Sequence, residues 1–434
     1  LTDGGRVSGA FGYWRESGKF IMFKCKAVVL ATGGGGKAWK VTSNSWEYTG
    51  DGVTMAADAG ADLMDMEFMQ FHPTGMVWPP SVRGILVTEG VRGDGGTLKN
   101  TKNERFMFNY IPDFFKAETA ETIEEAERWY DDKRNNRRTP DLLPRDEVAR
   151  AINSEVKAGR GTPHGGVFLD IASRRPAEYI RKRLPSMYHQ FKELADVDIT
   201  KEAMEVGPTC HYSMGGVRVD ADSTATTVPG LFAAGEVAAG LHGANRLGGN
   251  SLSDLLVFGR RAGLYAAEYA KGLSGSLSVN NDQVEMFAQT MLAPFETQGN
   301  ENPYTIHSDL QECMQDLVGI IRVESELNQA LEIIQKLKQR SLHVKVEGNR
   351  HYNPGWHLSL DLHSLLTFAE AATLAAIIRK ESRGGHTRDD FPNTDAKFAK
   401  VNIITRINNG EMTQSQEPLP EMPDELKALL EEKQ

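Results

Sequence analysis

The sequence predicts an α/β fold of several domains, and three observations support this prediction. A short apolar run, Ala27–Leu30, leads into Ala31-Thr32 and four glycines, a pattern typical of a buried strand that turns into a loop. A helical pattern begins at Asp51-Gly52. Apolar residues then recur at a spacing near 3.6 over Ser308–Lys338 and Leu358–Lys380, which predicts long amphipathic helices. The 434 residues suffice for two or three domains with sizeable cores.

Further elements are predicted on either side of this frame. Val7–Trp14 and Phe20–Cys25 flank a turn and predict a β-hairpin, whereas the charged Phe115–Arg138 is expected to be solvated surface. Sheet-like patterning returns at Ser213, and after about Gly272 the chain is expected to be mainly helical. The tail after Glu411 is expected to be extended until Asp424 begins a short last helix. We expect Leu365–Ile378, which contains Glu370, to be a buried helix, because it is too short to span a bilayer.

Composition excludes several classes of protein. The chain has 49 Lys and Arg against 59 Asp and Glu, a net charge of −10 that argues against a nucleic-acid or anionic-membrane binder. Its three cysteines are widely separated and predict neither a disulfide framework, nor a metal site, nor an iron–sulfur cluster, so a reducing compartment is expected. The chain opens with Leu1 in an apparent sheet, and we expect it to be the later part of a longer polypeptide.

The glycine-rich stretch Gly235–Gly259 is the most informative part of the chain. It places Glu236, His242 and Arg246 among glycines, which let backbone amides approach a ligand closely. The pair Asn250-Ser251 is expected to cap a following helix, whose N-terminus would favour an anionic or electron-rich ligand. The alternative is a loop that only turns a strand into a helix.

Four other segments combine basic or hydrogen-bonding residues with small ones. Together with Arg246 they supply imidazole, hydroxyl and guanidinium groups. This set suits a small dicarboxylate, because Arg offers planar bidentate donors and His adds charge-assisted ones. Taken singly, each has an ordinary structural explanation, such as a loop histidine, a surface ion pair or a helix-start pair. The four segments are Gln70–Gly75, Val87–Gly93, Pro144–Asp146 and Pro208–Gly216.

The combined motifs resemble one family. ATGG, TGDG, QFHPTG, TEGVRG, PTCHYSMGG, GLFAAGE and HGANRLGGNSL occur in the same order as in the flavoprotein subunit of succinate dehydrogenases and fumarate reductases, and ESRGGHTRDDFP resembles a later signature of that family. The resemblance covers nearly the whole chain. It implies an α/β fold with a partial, Rossmann-like FAD-binding domain, an inserted α+β capping domain and a C-terminal helical domain. The expected limits are 1–66 and 210–271 for the FAD-binding domain, 67–209 for the capping domain, 272–395 for the helical domain and 396–434 for a C-terminal extension.

The resemblance also implies roles for individual residues. His211 and Arg246 are expected to bind one substrate carboxylate, and His72 and Thr88 the other. Arg145 matches the proton-transfer position, with a relay to solvent through Glu89 and Arg92. His72 and His211 remain alternative bases, because an imidazole ordinarily has a better-matched pKa than a guanidinium. No metal ligand is expected. The expected FAD contacts are Thr32, Gly33, Gly34, Asp51, Glu236, Ser251 and Leu252.

The activity implied by the resemblance is oxidation of succinate to fumarate by hydride transfer to FAD, a step of the tricarboxylic acid cycle and of electron transport. Electrons would pass to an iron–sulfur subunit, then on to quinone. A membrane anchor would hold the protein at the inner face of a membrane, with a bacterial cytoplasmic membrane favoured. The FAD-linking histidine is expected before Leu1. Fumarate reduction, L-aspartate oxidation and a non-catalytic fragment remain alternatives, although CHYSMGG and GANRLGG suit dicarboxylate enzymes better than aspartate oxidase.

Overall fold

A computed structural model describes residues 1–275, 278–408 and 410–431 of the chain. Its strands are β1 (Thr2–Asp3), β2 (Arg6–Val7), β3 (Gly9–Trp14), β4 (Lys19–Lys24), β5 (Val28–Leu30), β6 (Leu63–Met64), β7 (Met69–Met76), β8 (Thr97–Lys99), β9 (Val167–Asp170), β10 (Met204–Ser213), β11 (Gly216–Val217), β12 (Leu231–Ala233), β13 (Val401–Asn408) and β14 (Glu411–Pro418). Its helices are α1 (Asp51–Asp58), α2 (Gly90–Gly93), α3 (Ile123–Asp131), α4 (Arg145–Lys157), α5 (Ala177–Arg183), α6 (Pro185–Ala195), α7 (Asn250–Gly272), α8 (Asn281–Glu296), α9 (Pro303–Leu317), α10 (Glu324–Ser341), α11 (Pro354–Ile378) and α12 (Asp424–Glu431).

The predicted strand before the glycines pairs with a strand that lies far along the chain. β5 and β12 are parallel, with Val28 opposite Leu231 and Leu30 opposite Ala233. Leu30 is buried as expected, but Val29 is 40% exposed, so burial extends to one face of the strand only. The predicted hairpin is confirmed as the antiparallel pair β3–β4, and α1 begins at Asp51 as predicted. The mixture of parallel sheet and helix confirms the α/β class.

A four-stranded antiparallel sheet of order β7-β10-β9-β8 lies between the two halves of this parallel pair in the sequence. In its register His72 of β7 is opposite Thr209 of β10, and helix α4 packs against both strands. The segment Phe115–Arg138 is largely exposed, as expected, but it contains α3, which is capped by Thr122 and buries Trp129. The domain limits given above stay predictions.

The C-terminal half is built on α11. Asn302 and Asn353 cap α9 and α11, and each cap is followed by a proline at the first helical position, which is the favoured arrangement for a helix start. Leu365–Ile378 is mostly buried, as predicted, but α11 as a whole is buried on nearly all sides rather than amphipathic. By length and composition α11 could cross a membrane, and it is the one such helix among the described residues; 72% of its most apolar window is buried inside the protein.

One sequence prediction for this half is wrong, and another needs an addition. Ser308–Lys338 is not one helix: α9 ends at Leu317 and α10 begins at Glu324, because buried Arg322 ties the intervening turn to the carbonyls of Gly319 and Glu67. The chain after Gly272 is mainly helical, as expected, but its described residues also include two strands. β13 and β14 form a hairpin that pairs with β6, which gives the tail after Glu411 a partner strand. The last helix begins at Asp424, as predicted.

Candidate active site

The helix of the glycine-rich stretch begins without a side-chain cap. The N-cap of α7 is Gly249, with φ of 82°, a left-handed conformation that glycine adopts without strain. The predicted cap by Asn250-Ser251 is therefore wrong. Both residues lie inside the helix, and the hydroxyl of Ser251 instead accepts a hydrogen bond from Nη1 of Arg246 at 3.1 Å. A helix N-terminus without a side-chain cap leaves backbone N–H groups for a ligand.

Arg246 is buried in a polar pocket and is not fully satisfied. Its Nη2 donates to Oε1 of Gln70 at 3.0 Å, and its guanidinium carbon lies 4.3 Å from the centre of the Tyr212 ring. Its Nε is buried and has no hydrogen-bond partner among the described residues. Burial, followed by the charge of Arg145, lowers the pKa of Arg246. A buried guanidinium with a spare donor is suited to binding a carboxylate.

Two histidines from neighbouring strands lie beside each other. The ring centres of His72 on β7 and His211 on β10 are 5.6 Å apart. Nδ1 of His211 lies 2.8 Å from the hydroxyl of Ser43, and Nδ1 of His72 lies 3.0 Å from the carbonyl oxygen of Thr74. Within the described part of the chain, Nε2 of His72 is buried without a partner.

Both imidazoles are held neutral. Burial is the main cause and the charge of Arg145 contributes: the pKa of His72 is well below its ordinary value, and the pKa of His211 falls to about 4, with Arg246 adding to the effect. At neutral pH these rings can therefore offer a carboxylate only uncharged hydrogen bonds, and His72 offers its Nε2–H in the tautomer whose Nδ1 accepts from the backbone N–H of Thr74 at 3.2 Å. This differs from the charge-assisted bonds that the sequence predicted for them.

Arg145, Glu89 and Arg92 form a chain of charges. Arg145 is the first residue of α4, and its Nε lies 3.4 Å from Oε2 of Glu89. The same oxygen lies 3.7 Å from Nη2 of Arg92, which is fully buried and donates from Nη1 to the carbonyl oxygen of Asp141 at 2.5 Å. The side chain of Glu89 is 38% exposed. The carboxylate thus lies between two guanidiniums and reaches solvent.

Arg145 lies close to the basic and imidazole groups that are expected to bind substrate or move the proton. Its charge lowers the pKa of four neighbours, and its side chain is 18% exposed. Thr88 differs from these residues: it is exposed, and its hydroxyl accepts a hydrogen bond from the backbone N–H of Gly90 at 3.2 Å. The four neighbours are His72, Arg92, His211 and Arg246.

The residues expected to contact FAD surround the end of β5 and the start of α7. A Cβ on Gly34 would lie 2.5 Å from Oε1 of Glu236, so a larger residue here would displace this carboxylate. Burial raises the pKa of Glu236 to about 7, and its Oε1 accepts from the backbone N–H of Ser213 at 2.9 Å. A Cβ on Gly33 would lie 2.8 Å from the ring of Tyr48.

The remaining expected contacts are accessible to a ligand or lie at a helix start. Thr32 is exposed and Leu252 is 67% exposed, whereas Ser251 is partly buried beside Arg246. Asp51 begins α1 and accepts a hydrogen bond from the hydroxyl of Thr49 at 2.8 Å. The narrow glycine passage at Gly34, these accessible residues and the uncapped helix α7 fit a flavin nucleotide with an anionic pyrophosphate.

Several residues of the site had no role assigned from the sequence. Gln70 and Tyr212 contact Arg246, and Ser43 contacts His211. The hydroxyl of Tyr212 lies 3.1 Å from Nε2 of His242, the third polar residue of the glycine-rich stretch. A polar side chain within an otherwise apolar strand, such as Gln70 in β7, could have indicated these contacts from the sequence. Polar side chains that are buried usually have hydrogen-bond partners.

Comparison with known proteins identifies the family. Residues 1–252 match the model of an FAD binding domain, and residues 307–425 match that of a fumarate reductase flavoprotein C-terminal region. A subunit of the fumarate reductase (CoM/CoB) of Methanothermobacter marburgensis is 41% identical over 406 residues, which are 94% of this chain and 68% of that protein. The chain therefore binds FAD.

Solved structures agree with this assignment. Mycobacterium smegmatis Sdh1 in complex with UQ1 is similar with a TM-score of 0.86 and 57% identity, over 99% of this chain and 68% of that one. The E. coli quinol fumarate reductase has a TM-score of 0.87 and 32% identity, over 98% of this chain and 71% of that one. The chain is an FAD-dependent oxidoreductase, and it belongs to the family of succinate dehydrogenase and fumarate reductase flavoprotein subunits.

Proposed function

We propose that the protein oxidises succinate to fumarate and passes the electrons to an iron–sulfur subunit, then on to quinone. The observation that carries the proposal is the convergence of two arginines with the neutral pair His72 and His211: Arg145, and Arg246, whose buried Nε has no partner among the described residues. A dicarboxylate supplies the two negative charges that this buried, positively charged group of residues lacks.

Four side chains would bind the two carboxylates of the substrate. Arg246 and His211 would hold one carboxylate. Nε2 of His72, which has no partner in the described part of the chain, would hold the other together with the hydroxyl of Thr88. Fixing both ends places the two central carbons of the substrate in one orientation, which is how binding energy lowers the barrier of a reaction with two bond changes. FAD, when bound, supplies the two-electron acceptor for the hydride.

The proton of the second carbon would leave through Arg145. Because a guanidinium rarely gives up its proton, Arg145 needs a neighbour to share it, and Glu89 lies 3.4 Å away. Arg92 on the far side of that carboxylate and the exposure of Glu89 support a relay to solvent. The alternative bases are less suitable, because the lowered pKa of His72 and of His211 makes each a weak proton acceptor at neutral pH.

Fumarate reduction by the same residues is the second candidate. The similarity to the fumarate reductase of Methanothermobacter favours it, whereas the higher identity to Mycobacterium smegmatis Sdh1 favours succinate oxidation. Further parts of the proposal are a covalent link from FAD to a histidine and a membrane anchor subunit. Through that anchor the protein would be peripheral at the inner face of a bacterial cytoplasmic membrane.

The test uses the full-length flavoprotein purified with its natural partners. We expect succinate-dependent reduction of a quinone analogue to exceed fumarate-dependent oxidation of the reduced analogue under matched conditions. A reversed ratio would favour the reductase, and absence of both activities in a flavin-loaded enzyme would refute dicarboxylate chemistry. Flavin that stays with the acid-precipitated protein would support covalent attachment; released flavin would contradict it.

A further inference from the structure

The segment Gly384–Thr387 is anchored more firmly than a loop ordinarily is. Nδ1 of His386 accepts a hydrogen bond from Nη1 of Arg322 at 2.9 Å, and its Nε2 donates to the carbonyl oxygen of Arg379 at 3.0 Å. Nη1 of Arg388 donates to the carbonyl oxygen of Ala376 at 2.8 Å, at the end of α11. His386 and Arg388 are fully buried. Thr387 lies between these two fixed residues.

Thr387 contacts the helix that carries Arg145. Its hydroxyl accepts a hydrogen bond from Nη1 of Arg150 at 2.9 Å, while its own carbonyl oxygen accepts from the backbone N–H of Arg322 at 3.0 Å. Arg150 is also paired with Glu147 and lies 3.3 Å from Asp146 on the same helix. Since these residues follow Arg145 within little more than one turn, fixing Arg150 fixes the start of α4.

The same segment contacts the loop that carries Arg246. The backbone N–H of Gly385 donates to the carbonyl oxygen of Ala244 at 2.8 Å. The next residue, Asn245, donates from Nδ2 to Oδ1 of Asp146 at 2.9 Å. A closed circuit of hydrogen bonds therefore joins the anchored segment, the start of α4 and the loop of Arg246.

We infer that the Gly384–Thr387 segment sets the position of Arg145 relative to Arg246, and that Thr387 is a positioning residue for proton transfer. This inference rests on the proposed function. Thr387 acts through Arg150 on the helix that begins at Arg145. Because proton transfer depends on the placement of the reacting groups within about 1 Å, loosening this link lowers turnover more than binding.

The test compares two substitutions of Thr387 in the full-length, flavin-loaded enzyme. Thr387→Val removes the hydroxyl at nearly constant volume, and we expect kcat for succinate to fall about 5- to 10-fold, the equivalent of one hydrogen bond, with KM within about twofold of the wild type. Thr387→Ser keeps the hydroxyl and is expected to retain kcat within about twofold. A kcat of the Val variant within that same limit, or an equal loss in both variants, would overturn the inference.

Hydrogen–deuterium exchange gives a readout that does not depend on activity. In Thr387→Val we expect faster exchange confined to the first turns of α4 and the loop around Ala244, with the exchange of α11 unchanged. Faster exchange throughout the protein would mean a general structural role and would also overturn the inference. If the wild type acts on neither dicarboxylate, the proposed function fails, whereas the exchange pattern still tests the link to α4.

Adjacent glycines provide a matched pair for the contact with Ala244. A Cβ on Gly384, whose φ is +53°, would lie 2.4 Å from the carbonyl oxygen of Ala244. A Cβ on Gly385 would lie 2.7 Å from the end of the flexible Met214 side chain and 3.0 Å from the carbonyl oxygen of Met69, a contact that a shift of a few tenths of an ångström relieves. We expect Gly384→Ala to raise KM for succinate at least about 5-fold and Gly385→Ala to change it less than about twofold. Equal effects of the two substitutions would contradict the link to Arg246.

Discussion

Two groups of buried arginines in this protein differ in how their charge is balanced. Arg379 is bonded to Glu67 and lies 3.2 Å from Asp65 and 3.1 Å from Glu381. Burial lowers the pKa of Arg379, but these carboxylates outweigh it, and its pKa ends above the ordinary value. In the candidate site burial prevails, because the neighbours of Arg246 include Arg145, and the pKa of Arg246 is lowered.

The comparison separates a structural network from a binding site. Both groups are buried and both include a neutral histidine, so burial and a lowered pKa do not distinguish them. Their hydrogen-bond partners do distinguish the two groups. Both ring nitrogens of His386 are hydrogen-bonded, whereas Nε2 of His72 is not, within the residues that the structure describes. The candidate site has an unbalanced positive charge and spare hydrogen-bond donors, so it is the group suited to bind a dianion.

The largest expected effect is on turnover. Arg145→Gln in the full-length enzyme should lower kcat about 10³-fold, because it removes the proton carrier, while the dissociation constant of a dicarboxylate changes by only a few fold. Steady-state kinetics together with equilibrium titration of a non-reacting dicarboxylate measure the two quantities. Equal losses of turnover and affinity would make Arg145 a simple binding residue.

Removing an arginine from the balanced group should instead affect folding. Arg379→Met leaves the carboxylates of Glu67 and Asp65 buried without their counter-ion, and we expect the free energy of unfolding to fall by about 3–5 kcal/mol. Chemical denaturation measures it. A stable Arg379→Met variant that has lost only dicarboxylate affinity would show that the division into structural and binding groups is wrong.

Arg246→Ala tests the same distinction between residues that bind substrate and residues that stabilise the fold. We expect dicarboxylate affinity to fall about 10²-fold, which corresponds to about 2.7 kcal/mol, with a much smaller change in the free energy of unfolding than Arg379→Met causes. Arg246→Lys keeps the charge without the planar fork and is expected to recover only part of the affinity. Unchanged affinity in Arg246→Ala would remove this residue from the carboxylate site.

Local patterns carried the sequence predictions that succeeded. The hairpin, the start of α1 at Asp51 and the last helix at Asp424 follow from turns, periodicity and helix-start residues that act over a few positions. The failures depend on distant contacts. No local pattern around Arg322 indicates that its side chain binds the carbonyl oxygen of Glu67, a contact that accompanies the break in the helical pattern. The pairing of β13 with β6 joins segments more than 300 residues apart.

The candidate site was predictable as a set of residues but not as an electrostatic state. Ordered motifs singled out His72, His211, Arg145 and Arg246, yet the sequence indicated charged histidines. Their neutrality comes from burial and from neighbouring arginines that are distant in the chain. Ser251 shows the same limit: its position predicts a helix cap, but Arg246 engages its hydroxyl.

The smallest expected effect is on stability as a function of pH, where two groups of the site act in opposite directions. Burial and Arg246 hold the pKa of His211 at about 4, below its ordinary value of 6.5, so this residue lowers the free energy of unfolding as pH falls from 6.5 toward 4. Burial raises the pKa of Glu236 from 4.5 to about 7, so this residue lowers the free energy of unfolding as pH rises from 4.5 to 7.

We expect His211→Asn to reduce the loss of unfolding free energy at acid pH, and Glu236→Gln to reduce the loss toward pH 7, each by about 1–3 kcal/mol in denaturation curves. Unchanged pH profiles in both variants would mean that these groups are not desolvated, and the neutral state of the imidazoles, on which the binding roles rest, would have to be abandoned.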